Sequence, residues 1–590
     1  MNYATDVLII GSGGAGLRAA IALHDSGQRV LVLGKRPKTD AHTVLAEGGI
    51  NAALGTLDPE DTWAIHAADT LKEGRFLGHP GMVERLCREA PGMIAELEGW
   101  GVPFAREADG RLSQRFFGAH RYRRTCFVGD YTGLEIIKAL VRETDRRQIP
   151  ILERVYASHL LTTPAGAGDR RVNGALGFGL ENGEEVVVQA GAVLLATGGH
   201  THVYHRSTSR RRESTGDGMA LAFAVGAPLA DMELVQFHPS GMVWPPELEG
   251  TLVTEAVRGE GGQLRNQAGE RFMPRYDPQR LELSTRDRVA LANYAEILAG
   301  RGTAHGGVWL DISHQPAELI RARLPRMVEQ FAAVGVDITR EPMEVAPTAH
   351  YSMGGVRVDA ETHATAVPGL FAAGEVTAGV HGANRLGGNS LSEILVFGRI
   401  AAEQAGRFAA QQPAPPLDET ALDQHRQDLA RLRQLAGGQQ RALIAELQTV
   451  MWECAGVVRD VAGLERGLER LAAIRLRAGQ AGAGSEGAGS SPPGAPDLAA
   501  ALDLRAMLLT AEATLRSAAL RAESRGAHQR HDYPEADPAW QRTIVVQPAP
   551  TPASRRSTMV LTTAELPRPA EPVALAHDET HLDLAGRLLE

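Results

Sequence analysis

Five short segments of this 590-residue chain carry histidine or arginine, four of them together with glycine, at spacings that helix packing does not require. They are Gln236-Phe-His-Pro-Ser-Gly241, Thr254-Glu-Ala-Val-Arg-Gly-Glu-Gly-Gly262, Ser284-Thr-Arg-Asp-Arg-Val289, Pro347-Thr-Ala-His-Tyr-Ser-Met-Gly-Gly355 and His381-Gly-Ala-Asn-Arg-Leu-Gly-Gly-Asn-Ser390. Each alone is compatible with a surface ion pair or a turn. Together they offer guanidinium forks, which grip carboxylates bidentately, and imidazoles that add donors, as a dicarboxylate ligand requires. A further segment, Asp40-Ala-His-Thr-Val-Leu-Ala-Glu-Gly-Gly-Ile50, carries His42. On spacing alone, a loop histidine is as readily a solvated side chain as a functional one.

The element that gives His42 a neighbour lies just before it. Asp6-Val-Leu-Ile-Ile10 is an apolar strand that runs into Gly11-Ser-Gly-Gly-Ala-Gly16, followed by helical periodicity over 15–26 and a second strand over 29–33. In this strand–turn–helix–strand order, Gly11, Gly13 and Gly16 permit the turn, the close approach of backbone to a pyrophosphate and the packing of helix on strand. The loop carrying His42 emerges beside that turn, close to the cofactor's ring. The second strand ends Gly34-Lys35, without the acidic residue that ordinarily holds a ribose. A second apolar strand, Ala192-Val-Leu-Leu-Ala196, runs into Thr197-Gly198-Gly199, and Thr215-Gly-Asp-Gly218 opens another helix. Two such turns fit a long dinucleotide, FAD rather than NAD.

The remaining pattern divides the chain into an FAD-binding domain over 1–237 and 347–408, an inserted α+β capping domain over 238–346, a helical domain over 409–540 and a C-terminal segment over 541–590. The expected fold class is α/β, with a Rossmann-like core. Pro91-Gly92 predicts two short helices between Met82 and Glu98. The stretch 114–133 reads as loop and short strand. The insert reads as loops and helices, including 284–299 and 316–333. Strands return at 355–358 and 369–373, before a helix from Ser390. Three or four antiparallel helices follow, broken by a Gly/Ala/Ser/Pro stretch over 478–496 that has nothing to bury and reads as a flexible loop. The proline-rich tail holds one plausible strand, Met559 to Thr562, and reads as packing on another surface.

Composition excludes several classes. A net charge of −10 and a pI near 6.1 leave no global basic field for nucleic acid or an anionic membrane. Cys87, Cys126 and Cys454 are too scattered for a zinc or iron–sulfur ligand set, so no metal site is expected. No apolar run approaches the roughly 20 residues of a membrane span, and a strand beginning at Asp6 leaves no room for a signal peptide.

From about Thr5 to Trp540, these motifs, with Gly374-Glu375 and Glu523-Ser-Arg-Gly-Ala-His528, resemble the flavoprotein subunits of succinate dehydrogenase and quinol:fumarate reductase. The resemblance implies that His42 carries FAD covalently through the flavin 8α-methyl carbon, with Thr43, Gly48 and Gly49 of the same segment as cofactor neighbours. His42 stands six residues before Gly48, the family's spacing, although Ala41 replaces the usual serine. It also implies Gly11, Gly13, Gly14 and Gly16 at the pyrophosphate, Lys35 and Asp217 at the adenosine half, and Glu375, Ser390 and Leu391 at the ribityl and pyrimidine end. His238, Thr254, His350 and Arg385 would hold the two carboxylates of succinate or fumarate. Arg286 would exchange a proton with substrate carbon, relayed by Glu255 and Arg258.

L-aspartate oxidase, a soluble relative with noncovalent FAD, is the competing enzyme. His42 and Gln114-Arg-Phe-Phe-Gly118 favour the respiratory type. Because this chain has no iron–sulfur ligands and no membrane segment, electrons would leave through an iron–sulfur subunit to a membrane anchor with quinone. That would place the chain peripherally on the cytoplasmic side of a membrane.

Overall fold

The computed structural model describes residues 1–166, 169–209, 213–435, 439–480, 494–549, 559–568 and Val573. The first strand, Asn2–Ile10, is apolar on both faces: Val7 and Ile9 enter one core, Leu8 and Ile10 another. A strand without a polar face must lie between two layers, the situation of a central parallel strand. It pairs in parallel with Val30–Gly34 on one side and with Glu185–Leu195 on the other. Ile151–Glu153 extends the sheet beyond Val30–Gly34, and Leu370–Ala372 pairs in parallel with the end of Glu185–Leu195. The beginning of that strand pairs antiparallel with Asp169–Gly179, the partner of Val155–Gly166. Helices Gly14–Asp25 and Asn389–Gln411 cover one face, and Asp217–Ala224 lies on the other. This is the Rossmann-like layer implied by the first thirty or so residues.

A second, antiparallel sheet runs in the order Val235–Met242, Met343–Ser352, Val308–Asp311, Gln263–Arg265 and has its own core, including Met242, Phe272, Leu310 and Val345. Two of its neighbouring strands, Val235–Met242 and Met343–Ser352, run across residues 238 and 346. An α+β insert was expected here, but only loops and helices were placed in it. The strands escape a sequence reading because Val235–Met242 slips register between His238 and Gly241, and because Gln263–Arg265 is only three residues long.

Two prolines act differently from one another. The two helices expected around Pro91 are one helix, Pro80–Gly99. Interior proline removes one hydrogen bond and crowds the preceding turn, but Met82, Leu86, Ala90, Met93, Ile94 and Leu97 stay buried on one face, and their burial offsets that cost. Pro325 instead divides the helix expected over 316–333 into Ala317–Arg323 and Pro325–Ala332, where it occupies the first turn, a position that needs no N–H.

Four helices, Glu419–Leu435, Gln439–Ala455, Val461–Gln480 and Ala495–Leu520, form the helical region. The last is buried all round, with Leu515 in the helical core and Ala513 in that of the first sheet, so it joins the two layers. Of the flexible loop expected over 478–496, residues 481–493 lie outside the described residues. The tail strand is present as Met559–Glu565. It pairs with a strand the sequence did not reveal, Arg542–Pro548, which itself adds to Leu229–Ala230 of this chain. Among the described residues, no helix is long and apolar enough to cross a membrane.

Candidate active site

A long, partly open cleft extends from the Gly11 turn to the capping sheet. All the residues singled out from the sequence line it except Gly16 and Arg258. Gly16 is therefore corrected from a pyrophosphate contact to a packing residue: a Cβ there would lie 1.9 Å from the Gly11 carbonyl oxygen. Gly11 itself has φ +119°, and its Cβ would meet the Ala196 carbonyl at 2.1 Å. Gly13 has no side chain to cap helix Gly14–Asp25; Thr43 Oγ1 accepts the Gly14 N–H at 3.3 Å, and the remaining first-turn N–H groups give the helix end its attraction for an anion in the cleft.

Lys35 reaches Asp503 at 2.6 Å and Asp217 and Thr215 at 3.2 Å. Burial opposes its charge, but the two carboxylates more than offset this and raise its pKa. Asp503 comes from helix Ala495–Leu520, has no motif around it and does not line the cleft, so it partners Lys35 and does not stand in for the ribose-binding acid missing after the second strand.

An FAD fits this cleft by what the lining leaves unsatisfied. Thr197 Oγ1, Glu47 Oε2 and Arg385 Nε are buried without a hydrogen-bond partner among the described residues, and all three residues line the cleft. Buried polar groups are ordinarily partnered, so these atoms mark where a polar ligand belongs. Gly48 is needed because a Cβ would lie 2.5 Å from the Phe117 ring. Glu375 accepts the Ser352 N–H at 3.0 Å, and burial raises its pKa.

His42 opens a single turn, His42–Leu45, on the cleft wall. Its Nδ1 lies 3.2 Å from Glu213 Oε1. Burial alone would lower the imidazole pKa, but Glu213 and, further off, Glu375 raise it. Glu47, from the same loop, is held by Arg326 at 3.1 Å, yet burial pushes its carboxyl up to about 8.

At the other end, Arg286 donates to Glu255 Oε2 from Nε at 2.8 Å, with Nη2 also at 2.8 Å, and to Gln236 Oε1 from Nη1 at 3.0 Å. Burial opposes the charge of Glu255, but Arg286 and Arg258 outweigh it and hold the carboxyl well below its ordinary range. Arg258 stands behind Glu255, away from the cleft, with Nη2 3.8 Å from the carboxylate and Nη1 donating to the Glu282 carbonyl at 2.6 Å. Gln236 also donates to the Arg385 carbonyl at 2.9 Å, so it ties the two arginine segments together. Arg385 lies over the Tyr351 ring at 4.4 Å, and burial, reinforced by Arg286, lowers its guanidinium to about 9. A bound carboxylate would relieve that strain.

His238 and His350 face each other, ring centres 5.2 Å apart. Both are pushed well below the imidazole range, His238 by burial and then Arg286, His350 by burial and then His238. Thr254 lines the same end, its Oγ1 accepting the Ala256 N–H at 3.3 Å. Glu47, Gln236 and Tyr351 sit inside motifs quoted from the sequence and were overlooked there. Glu213 and Asp503 carry no sequence signal. Among the described residues, no cluster of three or more metal-ligating side chains occurs, and the three cysteines are buried and free.

The chain is similar in sequence and fold to known proteins. A model of an FAD binding domain matches residues 6–391, and one of the fumarate reductase flavoprotein C-terminus matches 444–572. One subunit of a fumarate reductase (CoM/CoB) from Methanothermobacter marburgensis is 45% identical over 92% of this chain and 97% of its own. A succinate dehydrogenase flavoprotein subunit from Rickettsia bellii is 38% identical over 92% of each. Mycobacterium smegmatis Sdh1 in complex with UQ1 superposes with a TM-score of 0.86 at 41% identity, covering 99% of this chain and 98% of that one. A variant of E. coli quinol fumarate reductase FrdA gives 0.88 at 33% identity, covering 97% and 99%. The chain belongs to the succinate dehydrogenase and fumarate reductase flavoprotein family.

Proposed function

We propose that this chain interconverts succinate and fumarate on an FAD tethered to His42 and passes electrons through an iron–sulfur subunit, by way of a membrane anchor, to a quinone. The observation that carries this reading is Arg286, doubly bonded to Glu255 and sharing one cleft with Arg385, His238, His350 and the glycine turn.

The bound flavin would supply hydride acceptance and donation at its ring. The chain supplies the rest. Arg385, Thr254 and the two imidazoles, neutral because burial disfavours their charge, hold the carboxylates as donors. Arg286 exchanges the proton with substrate carbon. A free guanidinium is a reluctant acid, its pKa lying above about 12. Glu255, ionised and in contact, takes up or returns that proton, and Arg258 lies next along the path, so a neutral Arg286 need only be transient.

Purified chain loaded with FAD should oxidise succinate with an artificial acceptor and reduce fumarate with a reduced viologen. Oxygen-dependent formation of iminoaspartate from L-aspartate would instead establish the oxidase, which the names of the relatives above do not favour. A flavin-fluorescent band after denaturing electrophoresis tests the tether. His42→Ser should keep FAD noncovalently and retain some fumarate reduction while losing succinate oxidation.

Copurification with an iron–sulfur protein and a membrane anchor supports the quinone route and a peripheral place at the inner face of the membrane. A second reading of the electron donor, CoM/CoB, is favoured by the 45% identity to a relative of that name. A fumarate-dependent loss of those thiols would select it.

A further inference from the structure

We propose that Glu213 positions His42 for attachment to the flavin, taking the imidazole Nδ1–H and leaving the Nε2 lone pair as the atom that joins the cofactor. The inference rests on the covalent-tether reading and adds a residue to it.

Three observations carry it. Glu213 Oε1 lies 3.2 Å from His42 Nδ1, and both side chains line the cleft. The Glu213 side chain is 9% exposed and has the Arg36 Nε 3.6 Å from its other oxygen, so the carboxylate is anchored on the side away from the histidine. The residue before His42 is Ala41, in extended conformation, which has no hydroxyl to steady the ring. A neutral imidazole carries one N–H and one lone pair, and the partner of one nitrogen decides which is which. With Nδ1 engaged by a carboxylate, Nε2 is the basic nitrogen, and among the described residues it makes no protein hydrogen bond.

Attachment forms a bond between Nε2 and the 8α-methyl carbon and breaks one C–H bond of that methyl group. The methyl proton departs, and the electron pair of the C–H bond enters the flavin ring, which is thereby reduced by two electrons. The new bond takes the imidazole lone pair and leaves the ring cationic until the Nδ1 proton is lost. Fumarate, the oxidant of the family's own reaction, accepts the two electrons and two protons and leaves as succinate. Glu213 assists twice: it fixes the tautomer beforehand, and its charge faces the cation that forms. The raised pKa of His42 is consistent with a carboxylate that favours that cation.

The test follows covalent flavin against time when full-length apoprotein is mixed with FAD and fumarate, read by fluorescence of the denatured band and by protein mass, with total bound FAD measured in parallel. Wild type should attach, His42→Ser should not, and Glu213→Leu should attach at least tenfold more slowly while binding FAD noncovalently. Glu213→Gln, which keeps an acceptor oxygen without the charge, should fall between, and Glu213→Asp should restore most of the rate. In histidine-labelled apoprotein, the nitrogen resonances of His42 should report the Nδ1–H tautomer in wild type and a mixture in Glu213→Leu. Attachment by Glu213→Leu at the wild-type rate overturns the proposal while leaving the tether intact. Absence of covalent flavin from wild type overturns the tether and this inference together. Should Glu213→Leu bind no FAD at all, a wild-type rate in Glu213→Gln, with an unchanged tautomer signal, overturns it equally.

Discussion

A buried carboxylate is ordinarily driven towards its neutral form, yet Glu255 is held ionised because Arg286 and Arg258 outweigh the cost of burial. Its charge is what makes Arg286 usable as a proton carrier. Glu255→Gln keeps the shape and one acceptor oxygen but cannot take a proton, so turnover should fall by about 10²–10⁴ while KM for fumarate changes little. Steady-state kinetics in both directions check this, and a change confined to KM would assign Glu255 to binding alone. Glu73 shows the opposite behaviour: burial, then Asp287, push its carboxyl up to about 8, with Asn384 donating to it at 2.6 Å. Its folded pKa lies above the unfolded one, so the stability it contributes is fully present below pH 4.5 and is lost as pH rises through 8. The slope from this group is at most about 1.4 kcal/mol per pH unit. Glu73→Gln should therefore melt less steeply with rising pH across that window, read by thermal denaturation. At this scale Arg286, His238, His350 and Arg385 were legible because several arginine and histidine segments of this kind recur in one chain, although each alone has an ordinary structural use. Glu213 and Asp503 were not, because an acid in a loop or on a helix looks alike whether it faces solvent or a buried cation.

At the scale of elements, the glycine turn depends on sterics between segments far apart in sequence. A side chain at Gly11 meets the backbone of Ala196, at the end of the neighbouring strand, and does so at a positive φ. Gly11→Ala should therefore lose bound FAD and melt lower, by about 1–3 kcal/mol from the backbone conformation alone, and the ratio of flavin to protein absorbance measures the first effect. The strand, turn and first helix could be read because their pattern is local. The capping sheet could not, since its strands are interrupted by Pro239 and by a register slip that only pairing with Met343–Ser352 makes tolerable. Pro91 and Pro325 make the same point: burial of a long helical face carries the chain through one proline, while the other begins a new helix.

At the scale of the molecule, the last described helix and the tail lock the nucleotide layer from behind. Arg521 is fully buried, bonded to Glu233 at 2.7 Å and Glu523 at 3.2 Å, and donates to the Arg542 carbonyl at 3.0 Å. Asp231 accepts the Ile544 N–H at 2.8 Å, and Arg542–Pro548 completes the sheet of Leu229–Ala230. Ending the chain after Trp540 would remove the Arg542 carbonyl, the Ile544 N–H and the added strand, leaving buried polar groups of Arg521 and Asp231 short of a partner at about 1–3 kcal/mol each and a sheet edge bare. The truncated protein should melt several degrees lower and associate in solution, measurable by calorimetry and light scattering. Unchanged melting would show that the tail is only draped over the surface.

By itself the sequence carried the FAD-type turn, the α/β class, the family and many of the residues that the fold brings to the cleft. These signals are local, being strings of a few residues whose chemistry or backbone conformation admits little substitution. Only the tertiary structure decided which acids serve which cations: Asp503 with Lys35, Glu213 with His42, and Glu255 between Arg286 and Arg258. A carboxylate's role depends on what lies within a few ångströms after folding, and Asp503 and Glu213 meet their partners across 468 and 171 positions of chain.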